Sequence, residues 1–176
     1  VIAFILAAGE SRRFGRCKQV APIDGLPMIA HVIQAIPKQL EIVVVTGSQS
    51  KLVIETISSL SVQTIHNADF ENGIGTTIRL AAHYAKLRNS PMLITLADLP
   101  FVSTKDYLHL LKSFNGRAVF SRIKETMGPP AIIPEHDLTL LMNLKDSQGA
   151  KAVIKDYTTV VIPNASRDID FADQIT

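Results

Sequence analysis

Val1-Ile2-Ala3-Phe4-Ile5-Leu6-Ala7-Ala8-Gly9-Glu10-Ser11-Arg12-Arg13-Phe14-Gly15-Arg16-Cys17-Lys18 is the stretch whose reading decides the fold. Val1 to Ala7 is apolar without a break and ends at a glycine turn. A short run of that kind reads as a strand buried on both faces, not one with a wet side. Gly9 to Lys18 is polar, carries Arg12, Arg13, Arg16 and Lys18 beside two glycines, and reads as a loop. In an open sheet of such strands, ligands bind outside the carboxyl ends, where this loop sits.

The rest of the chain repeats the alternation. Pro27 to Ile36 has helical spacing. Glu41 to Thr46 is a second buried strand, stopped by Gly47. Ser50 to Leu60 is a helix, Val62 to Ile65 a short strand, and Asn67 to Gly75 a loop. Thr76 is placed to cap a helix from Thr77 to Leu87. Pro91 to Leu96 is a strand with Asp98-Leu99-Pro100 at its carboxyl end, and Ser103 is placed to cap a helix running to Ser113. Strands are expected at Arg117–Ile123 and Ala131–Ile133, helices at Glu135–Leu144 and Gln148–Asp156, and a last central strand at Thr158–Ile162. Continuous apolar strands alternating with helices predict one α/β domain over residues 1–176. Its sheet is mostly parallel, with helices on both faces, a Rossmann-like three-layer arrangement.

Hydrophobic residues make up 47% and charged residues 19% of the chain, a globular balance that excludes a disordered polymer. A net charge of +2 gives no nucleic-acid footprint. The single Cys17 provides neither an internal disulfide nor the thiolate pairs of a zinc site, which suits a cytoplasmic setting. The apolar opening is too short, and lacks the basic leader, to read as a signal peptide. No apolar run reaches the ~18 residues of a membrane span.

Three places carry candidate chemistry. In the first loop, glycines let amide groups approach a phosphate, arginines offer forked donors and Lys18 a compact charge. The loop is not a Walker A motif, since Lys18 lies three residues beyond Gly15 and precedes Gln19. It lacks the G-x-G of a dinucleotide fingerprint. On composition alone it reads equally as a solvated basic surface turn. Asp98 is a carboxylate suited to Mg2+, which takes few protein ligands, or else an ordinary turn residue before Pro100. Gly75, Thr76 and Thr77 at a helix start offer amides and hydroxyls to an anion or a base, or simply begin a capped helix. His31, His83 and His109 fall in helices as packing or surface residues, and Met92 belongs to the core.

The order of these segments resembles the MobA-like NTP-transferase family, and within it the molybdenum cofactor cytidylyltransferase branch. Leu6-Ala7-Ala8-Gly9 with Arg13, Gly15 and Lys18 is similar to the signature of sugar-phosphate and cofactor nucleotidyltransferases. Leu96 to Pro100 resembles the x-D-x-P segment whose Asp binds metal. Asp168-Ile169-Asp170-Phe171-Ala172-Asp173 resembles D-I-D-T-P-E-D, with Phe171-Ala172 in place of Thr-Pro and Asp173 in place of Glu. His66 to Thr77 resembles an N-P-x-W-x-x-G-M-G-S-S segment, with Ala68 for Pro and Phe70 for Trp. Gly128-Pro129-Pro130 resembles G-H-P without its His, and Asp146 to Lys151 resembles G-D-x-G-A-R.

The resemblance implies a nucleotide-diphospho-sugar transferase fold. It implies nucleotide contacts from Leu6, Ala7, Ala8, Gly9, Arg13, Lys18, Gly75 and Thr76, with Arg13 and Lys18 catalytic through their grip on the phosphates. It implies Mg2+ held by Asp98 and Asp170. The implied reaction joins CTP to a phosphorylated pterin, the molybdenum-bound molybdopterin, and releases pyrophosphate. An ionised phosphate acceptor attacks the α-phosphorus in line, so no protein base is required. Ala7-Ala8-Gly9 resembles the cytidylyl version of the signature, whereas the guanylyl version carries a second glycine. A molybdoenzyme client is the implied protein partner. Guanylyl transfer, sugar-1-phosphate nucleotidyl transfer and a noncatalytic cofactor carrier are the alternatives.

Overall fold

The computed structural model describes residues 1–11, 14–167 and 169. Nine strands and five α-helices occur among the described residues: β1 (Ile2–Ala7), β2 (Pro22–Ile23), β3 (Leu26–Pro27), α1 (Met28–Ala35), β4 (Glu41–Thr46), α2 (Ser50–Ile57), β5 (Gln63–His66), α3 (Ile74–Leu87), β6 (Met92–Leu96), α4 (Thr104–Ser113), β7 (Ala118–Ile123), β8 (Thr126–Ile133), α5 (Leu138–Met142) and β9 (Tyr157–Val161). Seven of the strands form one sheet in the order β5-β4-β1-β6-β8-β7-β9, and β2 and β3 form a small hairpin apart from it. Within the seven-stranded sheet, among the described residues, only β8 runs against its neighbours.

The uninterrupted apolar character of β1 has a direct structural cause. Successive side chains in a strand point to opposite faces. Ala3, Ile5 and Ala7 pack with Ile29, Val32 and Ile33 of α1, Val53 and Ile57 of α2, and Tyr107 and Leu110 of α4. Ile2, Phe4 and Leu6 pack on the other face with Ile78, Ala81, Ala82 and Ala85 of α3 and with Leu138 and Leu141 of α5. Helices therefore cover both faces, and the expected three-layer, mostly parallel sheet is the one observed.

Four local expectations are corrected. The last strand is an edge strand, not a central one: β9 pairs only with β7, and its Val161 is 52% exposed. Gln148–Asp156 is not a helix. Gly149 precedes a single 3-10 turn at Ala150–Ala152, and the chain then runs to β9 without further helix. Glu135–Leu144 opens with a 3-10 turn, and its α-helical part is only Leu138–Met142. The strand expected at Ala131–Ile133 starts earlier, at Thr126, and its register on β7 shifts between Phe120 and Ser121. Pro129 and Pro130 have no N–H to give the ladder, so the shift falls where pairing is impossible. Ser121 Oγ donates to the Pro130 carbonyl at 2.5 Å, which satisfies that buried acceptor.

Candidate functional site

The chain leaves β1 toward α1 and β4 on one side, and leaves β6 toward α4 and β7 on the other. A crevice must open where two neighbouring strands part in this way, and it lies at their carboxyl ends. A cleft of about 500 Å³ occupies this place. Leu6, Ala8, Gly9, Glu10, Ser11, Phe14, Lys18 and Gln19 line it from the β1 side, Leu96, Ala97 and Asp98 from β6, and Phe70, Glu71, Gly73, Ile74 and Thr77 from the start of α3.

The loop after β1 is held from beneath by Gln19, which is 5% exposed. Its Nε2 donates to the carbonyls of Ala7 at 3.3 Å and Gly9 at 3.1 Å. Its Oε1 accepts from the Ser11 hydroxyl at 3.1 Å and the Cys17 thiol at 3.3 Å. The Ser11 Oγ in turn accepts from the Lys18 backbone N–H at 3.1 Å. Burial pushes the Cys17 thiol up from its ordinary value, so the sulfur stays protonated and serves as a donor. Gly9 is exposed, and a Cβ built on it would meet no atom within 4 Å. Ala7 does not line the cleft: its side chain is buried in the α1 layer, as strand alternation requires. Arg16 is exposed, with its guanidinium 5.7 Å from the Phe14 ring centre. Arg12 and Arg13 lie outside the described residues.

Lys18 and Asp98, eighty residues apart in sequence, meet across the crevice with Nζ to Oδ2 at 2.8 Å. Both are largely shielded, at 12% and 23% side-chain exposure. The other carboxylate oxygen, Oδ1, is buried and has no hydrogen-bond partner among the described residues. The Asp98 carbonyl accepts from the Ile169 N–H at 3.3 Å. The Ile169 side chain is buried in a small separate core with Phe14, Ala21, Ile23 and Met28, against which Phe101 packs. One apolar cluster thus joins the first loop, the segment after β6 and the C-terminal tail. Asp170, the other expected metal ligand, and Asp168 lie outside the described residues. Among the described residues no group of three His, Cys, Asp or Glu side chains is gathered as for a metal.

The start of α3 departs from expectation. The helix begins at Ile74 with Gly73 as its N-cap, so Thr76 lies inside the first turn and does not cap it. The Gly75 N–H donates to the Asp146 carbonyl at 2.8 Å, and a Cβ on Gly75 would lie 2.1 Å from the Lys145 carbonyl oxygen. The Thr76 hydroxyl donates to the Gly73 carbonyl at 2.7 Å and accepts from Asn67 Nδ2 at 2.8 Å. Gly75 and Thr76 are therefore engaged with protein and do not line the cleft. Thr77 lines it instead, with Oγ1 accepting from Asn67 Nδ2 at 3.0 Å. Arg79 ties down the opposing segment, donating to the Leu144 carbonyl at 2.6 Å and to Asp146 Oδ1 at 2.7 Å. His83 and His109 are exposed, and His31 Nε2 donates to the Ile23 carbonyl at 2.7 Å, a packing role.

Gln19, Asn67 and the Phe14–Ile169 cluster escaped the sequence reading as organisers of the site. Gln19 carries a faint signal, a polar residue at the head of the run Val20-Ala21-Pro22-Ile23. No spacing rule distinguishes it from a surface glutamine.

Comparison with known proteins bears on the family and the fold. The family described as the MobA-like NTP transferase domain matches residues 3–160. The chain is 26% identical over 188 aligned residues to the bifunctional protein GlmU of Geotalea uraniireducens, covering 94% of this chain and 41% of that protein. It is 25% identical to a probable molybdenum cofactor guanylyltransferase of Thermococcus sibiricus, over 65% of this chain and 56% of that one. The chain thus spans about half the length of these curated relatives, or less. A nucleotidyl transferase structure from Methanothermobacter superposes with a TM-score of 0.80 at 18% identity, covering 98% of this chain and 92% of the other, a likeness of fold. No helix among the described residues is long and apolar enough to cross a membrane.

Proposed function

The chain belongs to the MobA-like NTP transferase family, and we propose that it binds a nucleoside triphosphate with Mg2+ in the β1–β6 cleft and transfers the nucleotidyl group to a phosphorylated pterin. The observation that carries this reading is the meeting of Lys18 and Asp98 at the topological switch point, at 2.8 Å. A triphosphate site needs a cation for the phosphates and a carboxylate for the metal side by side, and here two distant segments supply them.

The residues present fit Mg2+. Asp98 lines the cleft and keeps one buried carboxylate oxygen with no hydrogen-bond partner among the described residues, as a hard cation requires. We assign Asp98 and Asp170 to hold it. Bound there, Mg2+ supplies charge neutralisation at the phosphate oxygens. In this reading Lys18 and Arg13 stabilise charge on the reacting phosphoryl group, and Ala8 and Gly9 place the loop backbone against the phosphates. Leu6 and Thr77 border the same space, Thr77 with its hydroxyl proton left to donate. An acceptor phosphate is already ionised, so the chain's task is positioning and not proton removal.

CTP is our favoured donor, from the Ala7-Ala8-Gly9 form of the loop. The name of the Thermococcus relative makes GTP the second reading. The test incubates the protein and Mg2+ with molybdenum-loaded molybdopterin and each of CTP, GTP, ATP and UTP, and measures pyrophosphate release. Release with CTP that needs both acceptor and Mg2+ is expected. Release with GTP alone moves the donor assignment, and no release with any nucleotide overturns the transfer reading.

A further inference from the structure

Gln19 is buried, and the proposed transfer makes no use of it. Its carboxamide is nevertheless spent in full on one loop. A glutamine amide has two donor hydrogens and an oxygen with two lone pairs. The donors go to the carbonyls of Ala7 and Gly9, and the lone pairs take Ser11 and Cys17. Through Ser11 Oγ the network extends to the backbone N–H of Lys18. One side chain thus ties the end of β1, the middle of the loop and its far end.

The direction of these bonds matters more than their number. A loop that takes phosphates by its amides has to turn its carbonyls elsewhere, because a carbonyl oxygen facing a phosphate oxygen repels it. In a trans peptide the C=O and the following N–H point to opposite sides. Fixing the Ala7 and Gly9 carbonyls on Gln19 therefore turns the N–H groups of Ala8 and Glu10 away from it. The carbonyl between them, that of Ala8, accepts from the Ser48 N–H at 3.1 Å. Three consecutive carbonyls are thus held by the protein itself.

We infer that Gln19 is the positioning residue of the triphosphate loop: it fixes the carbonyls of Ala7 and Gly9 inward and seats Lys18 through Ser11. The inference rests on the reading of the cleft as a triphosphate site. Gln19→Glu is the sharpest variant, since it keeps size and shape but sets acceptor oxygens against two carbonyls. Ser11→Ala is the second variant, which removes the hydroxyl between Gln19 Oε1 and the Lys18 N–H and leaves the two Gln19 bonds to the Ala7 and Gly9 carbonyls in place.

The experiment measures affinity for Mg-bound CTP and for CMP by calorimetry, the rate of Cys17 alkylation by iodoacetamide, and Tm without nucleotide. For Gln19→Glu we expect triphosphate affinity to fall about tenfold, the scale of one charge-assisted hydrogen bond. CMP affinity should fall less and alkylation of Cys17 should accelerate. Ser11→Ala should move triphosphate affinity the same way by a smaller factor. Equal loss for CTP and CMP would reduce Gln19 to a general structural role and overturn the inference. Unchanged triphosphate affinity in both variants would overturn it as well. Wild-type protein that binds no triphosphate at all would instead sink the cleft reading on which it stands.

Discussion

The loop after β1 and the start of α3 look alike on paper and differ in space. Each is a glycine-bearing turn, and each reads as a place where backbone amides take an anion. At Gly9 the space a side chain would fill is open and faces the cleft. At Gly75 that space holds the Lys145 carbonyl, and the amide is already given to Asp146. The first glycine leaves room for a ligand, and the second leaves room for the protein's own chain. A glycine in a motif therefore has two possible beneficiaries, and only the surrounding packing says which one it serves.

Substitutions at the two turns and at the carboxylate of the cleft separate the two roles. The largest expected effect lies at the carboxylate facing the loop. Asp98→Asn should lower Mg2+-dependent pyrophosphate release about 10²–10³-fold, the scale of losing one preorganised electrostatic group. Asn keeps the shape but removes the charge facing the shielded Lys18 Nζ, so Tm should fall as well, and full activity would remove Asp98 from the metal site. Gly75→Ala should destabilise the fold by about 3 kcal/mol, because the methyl group meets backbone that has nowhere to go. Denaturant titration measures this, and triphosphate affinity of the folded protein should hold. Gly9→Ala should show the reverse: stability within about 0.5 kcal/mol of wild type, with triphosphate binding about tenfold weaker, or 1.4 kcal/mol. If Gly75→Ala weakens nucleotide binding while leaving stability intact, the assignment of the two glycines is inverted.

The smallest effect serves as a control in the α1 layer, away from both turns. Tyr107 is fully buried, and its hydroxyl lies 2.9 Å from Thr95 Oγ1. Burial raises the phenol's pKa well above its ordinary value, so the group remains a neutral partner throughout the stable pH range. Tyr107→Phe strands the Thr95 hydroxyl and should cost about 1 kcal/mol. Tm should then fall by about 2–4 °C for a chain of this size, with nucleotide affinity unchanged.

The layers of the fold were legible because burial on both faces writes itself into a strand as an unbroken apolar run. The observed β4 has the limits read from Glu41–Thr46. Ser103 caps α4 as expected, with Asp106 closing a reciprocal capping box. The position of β9 was not legible, because Thr158-Thr159-Val160-Val161 has the same apolar look at an edge as in a centre. The early start of β8 was hidden by Gly128-Pro129-Pro130, which reads as a turn in any local window. In the cleft, the residues with charge announced themselves. Lys18 and Asp98 were singled out by type and by their place beyond a strand, and in the structure the two side chains meet. Gln19 and Asn67 were not found, because a buried amide that organises a loop has the same letter as one in solvent. Thr77 was read beside Thr76, and one helical residue decided which of the two faces the cleft.

Mg2+ binding at Asp98 is tested by calorimetric titration of CTP and GTP into wild-type protein and into Asp98→Asn, each with and without Mg2+. Triphosphate binding to wild type should strengthen with Mg2+, and Asp98→Asn should lose that strengthening. Binding with the same Mg2+ dependence in both proteins would contradict that assignment, and so would the absence of binding to wild type.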